Sequence, residues 1–150
     1  MIRNVRPADD AAAISEIYNH YVTDTVVTFE NDPIDAKTMR KRIEEISARF
    51  PYLVYEQDGK VLGYCYAATW RSRAAYDQTV ETTVYLHNDW IGKGIGYQLY
   101  QELIGRLRSA PFHVAVASIT LPNTQSVALH EKFGFRKVAH FPNLFPTSVK

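Results

Sequence analysis

Glycine recurs at every second position in the segment HNDWIGKGIG, which follows a strand-like run and precedes a helix-like one. Gly92, Gly94 and Gly96 therefore stand where the chain enters a helix. Backbone N–H groups at such a turn can approach a phosphate closely, and the positive end of the helix dipole stabilises negative charge there. Lys93 adds a cation. The turn predicts an anion site, although the same glycines would also suit a plain tight connection between strand and helix.

Other phosphate-binding motifs do not fit this turn. A P-loop needs Ser or Thr after Gly-Lys, and Gly94 stands there instead. The dinucleotide fingerprint needs glycine at the sixth position counted from Gly92, and that position is Tyr97. The predicted anion site is therefore of another kind.

Ionisable side chains at three other places could take part in chemistry. Glu81 lies in the strand-like run TVETTVYL, where a carboxylate is unusual unless it is paired or functional. Arg71 and Arg73 lie two apart in WRSRAAY, and guanidinium groups suit carboxylate or phosphinate oxygens. A salt bridge from Glu81 to one of these arginines, or a solvated basic loop, is the structural alternative. His130 is the third candidate, although a lone histidine is more often structural than functional.

Hydrophobic periodicity predicts the elements that position these residues. Strands are predicted at 2–6, 52–56, 61–70, 79–86, 113–119 and 135–141. Four helices are predicted. The first is capped by Asp9 or Asp10 and ends near Thr23, and the second starts after Asp35. The third carries the apolar series Leu99, Leu103, Ile104 and Leu107, and the fourth is capped by Asn123 and ends at Gly134. The order β-α-α-β-β-β-α-β-α-β predicts an α/β fold with a mixed, mostly antiparallel sheet and helices on both faces.

Composition argues against nucleic-acid binding, membrane insertion and a metal site. A length of 150 residues suits one domain spanning 1–150, and 17 basic against 16 acidic residues give no overall field for nucleic acid or an anionic membrane. The uncharged stretch 61–70 is half of a bilayer span, and the first residues lack an apolar signal core. Cys65 is the only cysteine, and the five histidines show no metal-ligand spacing, so we expect a cytoplasmic protein without a metal.

Two motifs resemble the GNAT superfamily of acyl-CoA-dependent N-acetyltransferases. Its pyrophosphate loop reads Gln/Arg-x-x-Gly-x-Gly/Ala after a central strand; here Gly94 and Gly96 take the small positions and Ile91 replaces the polar one. The segment LPNTQSVALHEKFGF resembles the family's Asn-x-x-Ser/Ala-x-x-Leu-Tyr-x-x-x-Gly-Phe. Its members in register are Asn123, Ser126, Leu129, Gly134 and Phe135, with His130 at the tyrosine position.

A closer resemblance is to the phosphinothricin and methionine sulfoximine acetyltransferases. These proteins carry a segment like TWRSRAAYDQTVETTVYL and a histidine in Leu-His-Glu, and the likeness runs over residues 2–141. The family ends in a further aromatic-rich strand. No such strand is recognisable in the tail PNLFPTSVK, so the sequence leaves open whether residues 142–150 complete the sheet.

The resemblance implies acetyl-CoA as co-substrate and Glu81 as the general base that deprotonates the amine, directly or through water, with its pKa raised by partial burial. His130 would be the proton donor for the thiolate or a polar contact to the acceptor. Backbone N–H groups near Val84 to Leu86 would bind the acyl carbonyl if this strand parts from its neighbour. The implied cofactor-binding set is Val84, Tyr85, Leu86, Gly92, Lys93, Gly94, Ile95, Gly96, Tyr97, Asn123 and Ser126, although Asn123 has the alternative role of helix cap.

The expected acceptor is the primary amine of a small anionic, amino-acid-like molecule. Arg71 and Arg73 would hold its anionic group, Tyr76 would shape the pocket, and Phe29 with Glu30 would close it. The family also implies a homodimer, with no nucleic-acid or membrane partner. Two alternatives remain open, a catalytically weak acyl-CoA-binding or regulatory module and a peptide N-acetyltransferase.

Overall fold

A computed structural model describes residues 1–24, 32–69, 79–109, 114–119, 124–135, 137–139 and 147–149 of the chain. The order of elements agrees with the predicted one and adds a strand at the end. The elements are β1 (Ile2–Asn4), α1 (Pro7–Asp24), α2 (Ala36–Ser47), β2 (Tyr52–Gln57), β3 (Lys60–Thr69), β4 (Thr79–Leu86), α3 (Ile95–Arg108), β5 (Val114–Ile119), α4 (Thr124–Lys132), β6 (Lys137–Ala139) and β7 (Thr147–Val149).

Within the described residues, seven strands form one sheet in the order β1-β2-β3-β4-β5-β7-β6. Strands β1 to β4 pair antiparallel, β4 and β5 pair parallel, and β7 pairs antiparallel with both β5 and β6. The predicted hairpin joins β2 to β3 through Asp58 and Gly59, which have φ angles of 53° and 78°. The mixed, mostly antiparallel sheet predicted from the sequence is confirmed.

Helices cover both faces of the sheet. On one face, Leu99 and Leu103 of α3 are fully buried against Leu53 and Cys65 of the sheet. On the other face, α1 and α2 pack against the sheet through Ile14 and Ile43, both of them fully buried. Burial of each such aliphatic side chain contributes about 1.5–3 kcal/mol, so these two layers hold β4 between them.

The two N-terminal helices begin differently from each other. Asp35 caps α2 as predicted, since its Oδ1 accepts a hydrogen bond from the Thr38 N–H at 2.7 Å. The prediction that Asp9 or Asp10 caps α1 is wrong, because the helix already begins at Pro7. Proline suits the first helical position, and Asp10 reaches back from inside the helix to the Arg6 N–H at 2.7 Å.

A buried ion pair ties β1 to α1. The Arg3 guanidinium donates to both carboxylate oxygens of Asp10, at 2.9 and 2.8 Å, and to Glu56 Oε1 of β2 at 3.0 Å. Burial opposes ionisation of Asp10, but the hydrogen bonds from Arg3 and from the Arg6 N–H outweigh it and hold its pKa below the ordinary value. The same contacts raise the pKa of Arg3, so both groups stay charged.

The C-terminal part of the sheet departs from the prediction. The predicted last strand at 135–141 contains β6 at Lys137–Ala139, and a further strand, β7, at Thr147–Val149 lies between β5 and β6. The structure therefore adds a strand in the tail, where the sequence left the completion of the sheet open. A three-residue strand is too short to show a period of two, and its pairing with β5 and β6 is what makes it a strand. None of the helices described is long and apolar enough to cross a bilayer.

Candidate functional site

Glu81 lies on the α1 and α2 face of β4, as the alternation of the sequence predicts. Its neighbours Val80 and Thr82 point to the other face and are 1% and 3% exposed in the α3 layer. Glu81 itself is partly buried. On its two sides it pairs with Ala68 of β3 and with Val116 of β5.

The strands β4 and β5 part immediately after Glu81. Their described pairs run from Thr79–Val114 to Glu81–Val116, whereas β4 continues to Leu86 and β5 to Ile119 without a further described pair between them. This opening, from the Glu81–Val116 pair toward Leu86, is called the fork below. A fork in a sheet leaves backbone polar groups of both strands available to a ligand.

The register of β4 decides which of its N–H groups face the fork. His87 N–H donates to the Leu62 carbonyl at 2.8 Å, so the same pairing repeats every second residue back along β4 toward Glu81. The N–H groups of Val84 and Leu86 therefore point away from β3, into the fork. The Leu86 carbonyl points the same way and accepts a hydrogen bond from the Tyr21 hydroxyl of α1 at 2.6 Å.

Tyrosines cover the face of the sheet on which Glu81 lies. The Tyr85 ring is 5.6, 5.0 and 5.7 Å from the rings of Tyr18, Tyr21 and Tyr64. Burial raises the pKa of Tyr66, and the negative charge of Glu81 adds to that rise, while a hydrogen bond with Thr83 opposes it. These hydroxyls stay protonated, so they line the face with neutral donors and flat apolar rings.

The glycine turn leads from β4 through a single 3-10 turn, Asn88–Trp90, into α3. Gly92 and Gly94 both have φ of 83°, a left-handed conformation that other residues rarely adopt, and a Cβ on either would meet no atom within 4 Å. One side of the turn is therefore open. The first N–H groups of α3 have no side-chain cap from Gly94, and Lys93 stands exposed beside them. This geometry fits a pyrophosphate.

The side chains that follow this turn have different surroundings. Ile95 is 3% exposed and packs in the α3 core, so only its backbone can contribute to an anion site. Gly96 is buried where a Cβ would lie 3.4 Å from Leu129 and 3.5 Å from Leu86, which lets α3 approach α4 and β4. Tyr97 is 42% exposed, 5.1 Å from the Phe133 ring.

His130 is buried on α4, on the α3 side of the sheet. Its Nε2 lies 2.6 Å from the Tyr100 hydroxyl, which in turn lies 2.9 Å from Thr82 Oγ1. The Phe135 ring packs edge-on at 5.1 Å. The side chains of Glu81 and His130 therefore lie on opposite faces of the sheet. The contacts of His130 with Tyr100 and Phe135 do not bring it to Glu81.

Sequence reasoning missed Tyr100 and Thr82. Thr82 stands on the otherwise apolar face of β4, and Tyr100 stands next to Leu99 in the apolar series of α3. A hydroxyl at a core position needs a hydrogen-bond partner. Two hydroxyls at predicted core positions were therefore the signal that could have pointed to a buried polar contact.

Several predicted residues cannot be placed. Phe29, Glu30, Arg71, Arg73, Tyr76 and Asn123 lie outside the described residues, and so does the side chain of Ser126, whose backbone is in α4. Ile91 is 39% exposed after the 3-10 turn. The side chains that the structure describes contain no group of three or more His, Cys, Asp or Glu suited to a metal ion.

Comparison with known proteins gives consistent matches. A family model described as an acetyltransferase (GNAT) domain matches residues 2–147. The phosphinothricin N-acetyltransferase of Streptomyces viridochromogenes is 40% identical over 133 residues, covering 87% of this chain and 73% of that protein. The L-amino acid N-acyltransferase MnaT of Escherichia coli is 41% identical over 147 residues, covering 95% and 83%. The structure of yncA from Salmonella typhimurium with its cofactor acetyl-CoA has a TM-score of 0.95 at 35% identity, covering 99% and 91%.

Proposed function

Because the chain belongs to the GNAT family of acetyltransferases, we propose that it transfers the acetyl group of acetyl-CoA to the primary amine of a small anionic, amino-acid-like molecule, with Glu81 as general base. The observation that carries this proposal is the position of Glu81 at the closed end of the fork. The carboxylate projects to the tyrosine-lined face, and the backbone donors of Val84 and Leu86 follow it along the same strand.

The glycine turn is where acetyl-CoA would be held. The open side of Gly92 and Gly94 lets backbone N–H groups approach the pyrophosphate, and the first turn of α3 adds its positive dipole end. Ile91 offers no polar contact, so backbone donors and Lys93 must supply the attraction. The binding of acetyl-CoA by the structurally similar yncA protein supports this assignment.

The fork supplies the donors for the acyl oxygen. Transfer to an amine builds negative charge on that oxygen, and preorganised N–H groups stabilise it. The N–H groups of Val84 and Leu86 point into the fork beyond the last β4–β5 pair. The Tyr21–Leu86 hydrogen bond stiffens this end of the strand from the α1 side.

Glu81 accepts the proton that the amine must lose. An ammonium group is not a nucleophile, so the acceptor needs a base before it can attack the acyl carbon. Glu81 lies in the last β4–β5 pair, opposite Val116, before the fork opens, and its side chain projects to the tyrosine-lined face. The amine would therefore approach from the α1 and α2 side.

The acceptor class rests on the arginine pair of the sequence and on the relatives. Phosphinothricin and L-amino acids are the acceptors in the names of the two relatives described above. Arg71 and Arg73 suit the anionic groups of such molecules, and the neutral tyrosine rings around Tyr85 suit their aliphatic part. The family resemblance further supports a homodimer in the cytoplasm, which sedimentation velocity and cell fractionation can test.

The deciding experiment measures release of free thiol from acetyl-CoA with a panel of amines. The panel contains phosphinothricin, methionine sulfoximine, methionine sulfone, common amino acids and a peptide with a free N-terminus. We expect release with at least one small anionic amine and its loss in Glu81→Gln. Release with the peptide alone would indicate a peptide N-acetyltransferase, and binding of acetyl-CoA without release would indicate a binding module.

A further inference from the structure

We propose that Thr82, Tyr100 and His130 form a reversible hydrogen-bond chain, in which two hydroxyl hydrogens change direction so that the buried imidazole can take up and release a proton. Tyr100 is the positioning residue of this chain. Its part in acetyl transfer rests on the proposed function, but the protonation behaviour does not.

The chain crosses three elements inside the α3 layer. Thr82 of β4, Tyr100 of α3 and His130 of α4 are 3%, 0% and 3% exposed. The Oγ1–Oη distance is 2.9 Å and the Oη–Nε2 distance is 2.6 Å. Such burial and such short distances mean that water does not compete for these bonds.

Two arrangements of hydrogens satisfy the same heavy atoms. When Nε2 is an acceptor, Tyr100 donates to it and Thr82 donates to Tyr100. When Nε2 carries a hydrogen, as it must in the imidazolium ion, it donates to Tyr100, and Tyr100 donates to Thr82. A hydroxyl has one hydrogen and two lone pairs, so both arrangements pair all three atoms without moving any heavy atom.

The surroundings favour this pairing. Phe133 and Phe135, both just beyond α4, lie next to the Tyr100 ring, and their side chains carry no oxygen or nitrogen acceptor. Burial disfavours an imidazolium ion. The Tyr100 hydroxyl is a neutral acceptor that offsets part of this cost, and burial raises its own pKa, so it does not ionise.

Titratable groups lie around the chain among the described residues. Cys65 of β3, Glu81 of β4 and Tyr66 of β3 act on Tyr100 through the sheet. Burial raises the pKa of Cys65, so Glu81 is the charged member of these three. On α4, Glu131 and Lys132 follow His130 and are exposed and of opposite sign.

Under the proposed function, this proton has a use. Acetyl transfer releases a thiolate, which must gain a proton. Because Nε2 faces Tyr100, the imidazolium Nδ1–H bond is the one that breaks as the S–H bond forms, and the neutral ring keeps its Nε2–H hydrogen bond to Tyr100. The ring regains a proton at Nδ1 before the next transfer.

The test is an NMR titration of the ¹⁵N-histidine-labelled protein without acetyl-CoA or amine, with the His130 signals assigned by His130→Gln. Long-range ¹H–¹⁵N spectra report both tautomer and pKa. We expect Tyr100→Phe to weaken proton binding by His130 about fivefold, since the hydrogen bond lost from the charged ring is stronger than the one lost from the neutral ring. Thr82→Val should weaken it less, and Thr82→Ser, which keeps the hydroxyl, should leave it near the wild-type value.

Tyr55→Phe is the matched control, because Tyr55 packs against the same core layer from β2 and is not part of the chain. It should leave the His130 titration unchanged. An unchanged His130 titration in folded Tyr100→Phe, or equal effects of Thr82→Val and Thr82→Ser, would overturn the proposal. If Tyr100→Phe does not fold, the two Thr82 variants decide alone. Since the titration needs no turnover, an inactive protein would count against the proposed function and leave the chain intact.

Discussion

Glu81 of β4 faces Val116 of β5 in the last pair of the parallel ladder between these strands. Beyond this pair β4 continues to Leu86 and β5 to Ile119, but their described residues form no further pair, so the Val84 and Leu86 N–H groups are not bonded to β5. A carboxylate and a set of backbone donors thus lie within one short stretch of strand. The predictions below test this stretch and the elements that hold it.

The first prediction concerns Glu81→Gln. The amide keeps the shape of the side chain but cannot accept the amine proton, so kcat should fall about 100-fold or more. Acetyl-CoA affinity, measured by calorimetry, should stay within about twofold. Glu102→Gln on the exposed side of α3 is the matched control and should keep full activity. Wild-type turnover in Glu81→Gln would remove Glu81 as the base.

The second prediction concerns Gly94→Ala. With φ of 83°, alanine there costs about 1–2 kcal/mol of unfolding free energy, and its methyl group stands on the open side of the turn. Acetyl-CoA affinity should fall about tenfold or more because the methyl group blocks the backbone approach. Gly59→Ala has the same kind of strain at φ of 78° in the β2–β3 hairpin. Calorimetry should show that Gly59→Ala loses stability but no affinity; equal affinity loss in both would refute the turn as the pyrophosphate site.

The third prediction concerns the Arg3–Asp10 pair. Asp10→Asn removes the carboxylate that Arg3 holds through two hydrogen bonds and leaves Glu56 as its charged partner, which should lower the unfolding free energy by about 2 kcal/mol at neutral pH. The folded-state pKa of Asp10 lies below its ordinary value, so its contribution is present above about pH 4 and is lost as the pH falls through the folded-state pKa. Denaturant unfolding at several pH values should therefore show a weaker acid loss in Asp10→Asn than in the wild type. The exposed neighbour Asp9→Asn is the control and should keep the wild-type stability at neutral pH.

The fourth prediction concerns Tyr21→Phe. This change removes the 2.6 Å hydrogen bond to the Leu86 carbonyl and should lower the unfolding free energy by about 1 kcal/mol. Amide hydrogen exchange at the end of β4 should become faster, since α1 no longer holds that end of the strand. The exposed Tyr97→Phe is the control for stability. Unchanged exchange in Tyr21→Phe would show that α1 does not support the fork.

Local patterns predicted most elements correctly. The alternation of residues 79–86 placed Glu81 and Val80 on opposite faces, and Asp35 identified the start of α2. The start of α1 was predicted wrongly because three N-terminal residue types, Pro7, Asp9 and Asp10, all suit a helix start. The contact between Asp10 and Arg3, which belongs to a different element, shows which role the carboxylate takes.

By itself, the sequence determined the glycine turn, the faces of β4 and the family motifs, because periodicity and turn preference depend on neighbouring residues. Only the tertiary structure decided where β4 and β5 part, that β7 enters the sheet, and that Glu81 and His130 project from opposite faces. It also joined Thr82 to Tyr100 across 18 positions and Tyr100 to His130 across 30. Such contacts depend on which distant segments pack together, and no local pattern carries that information.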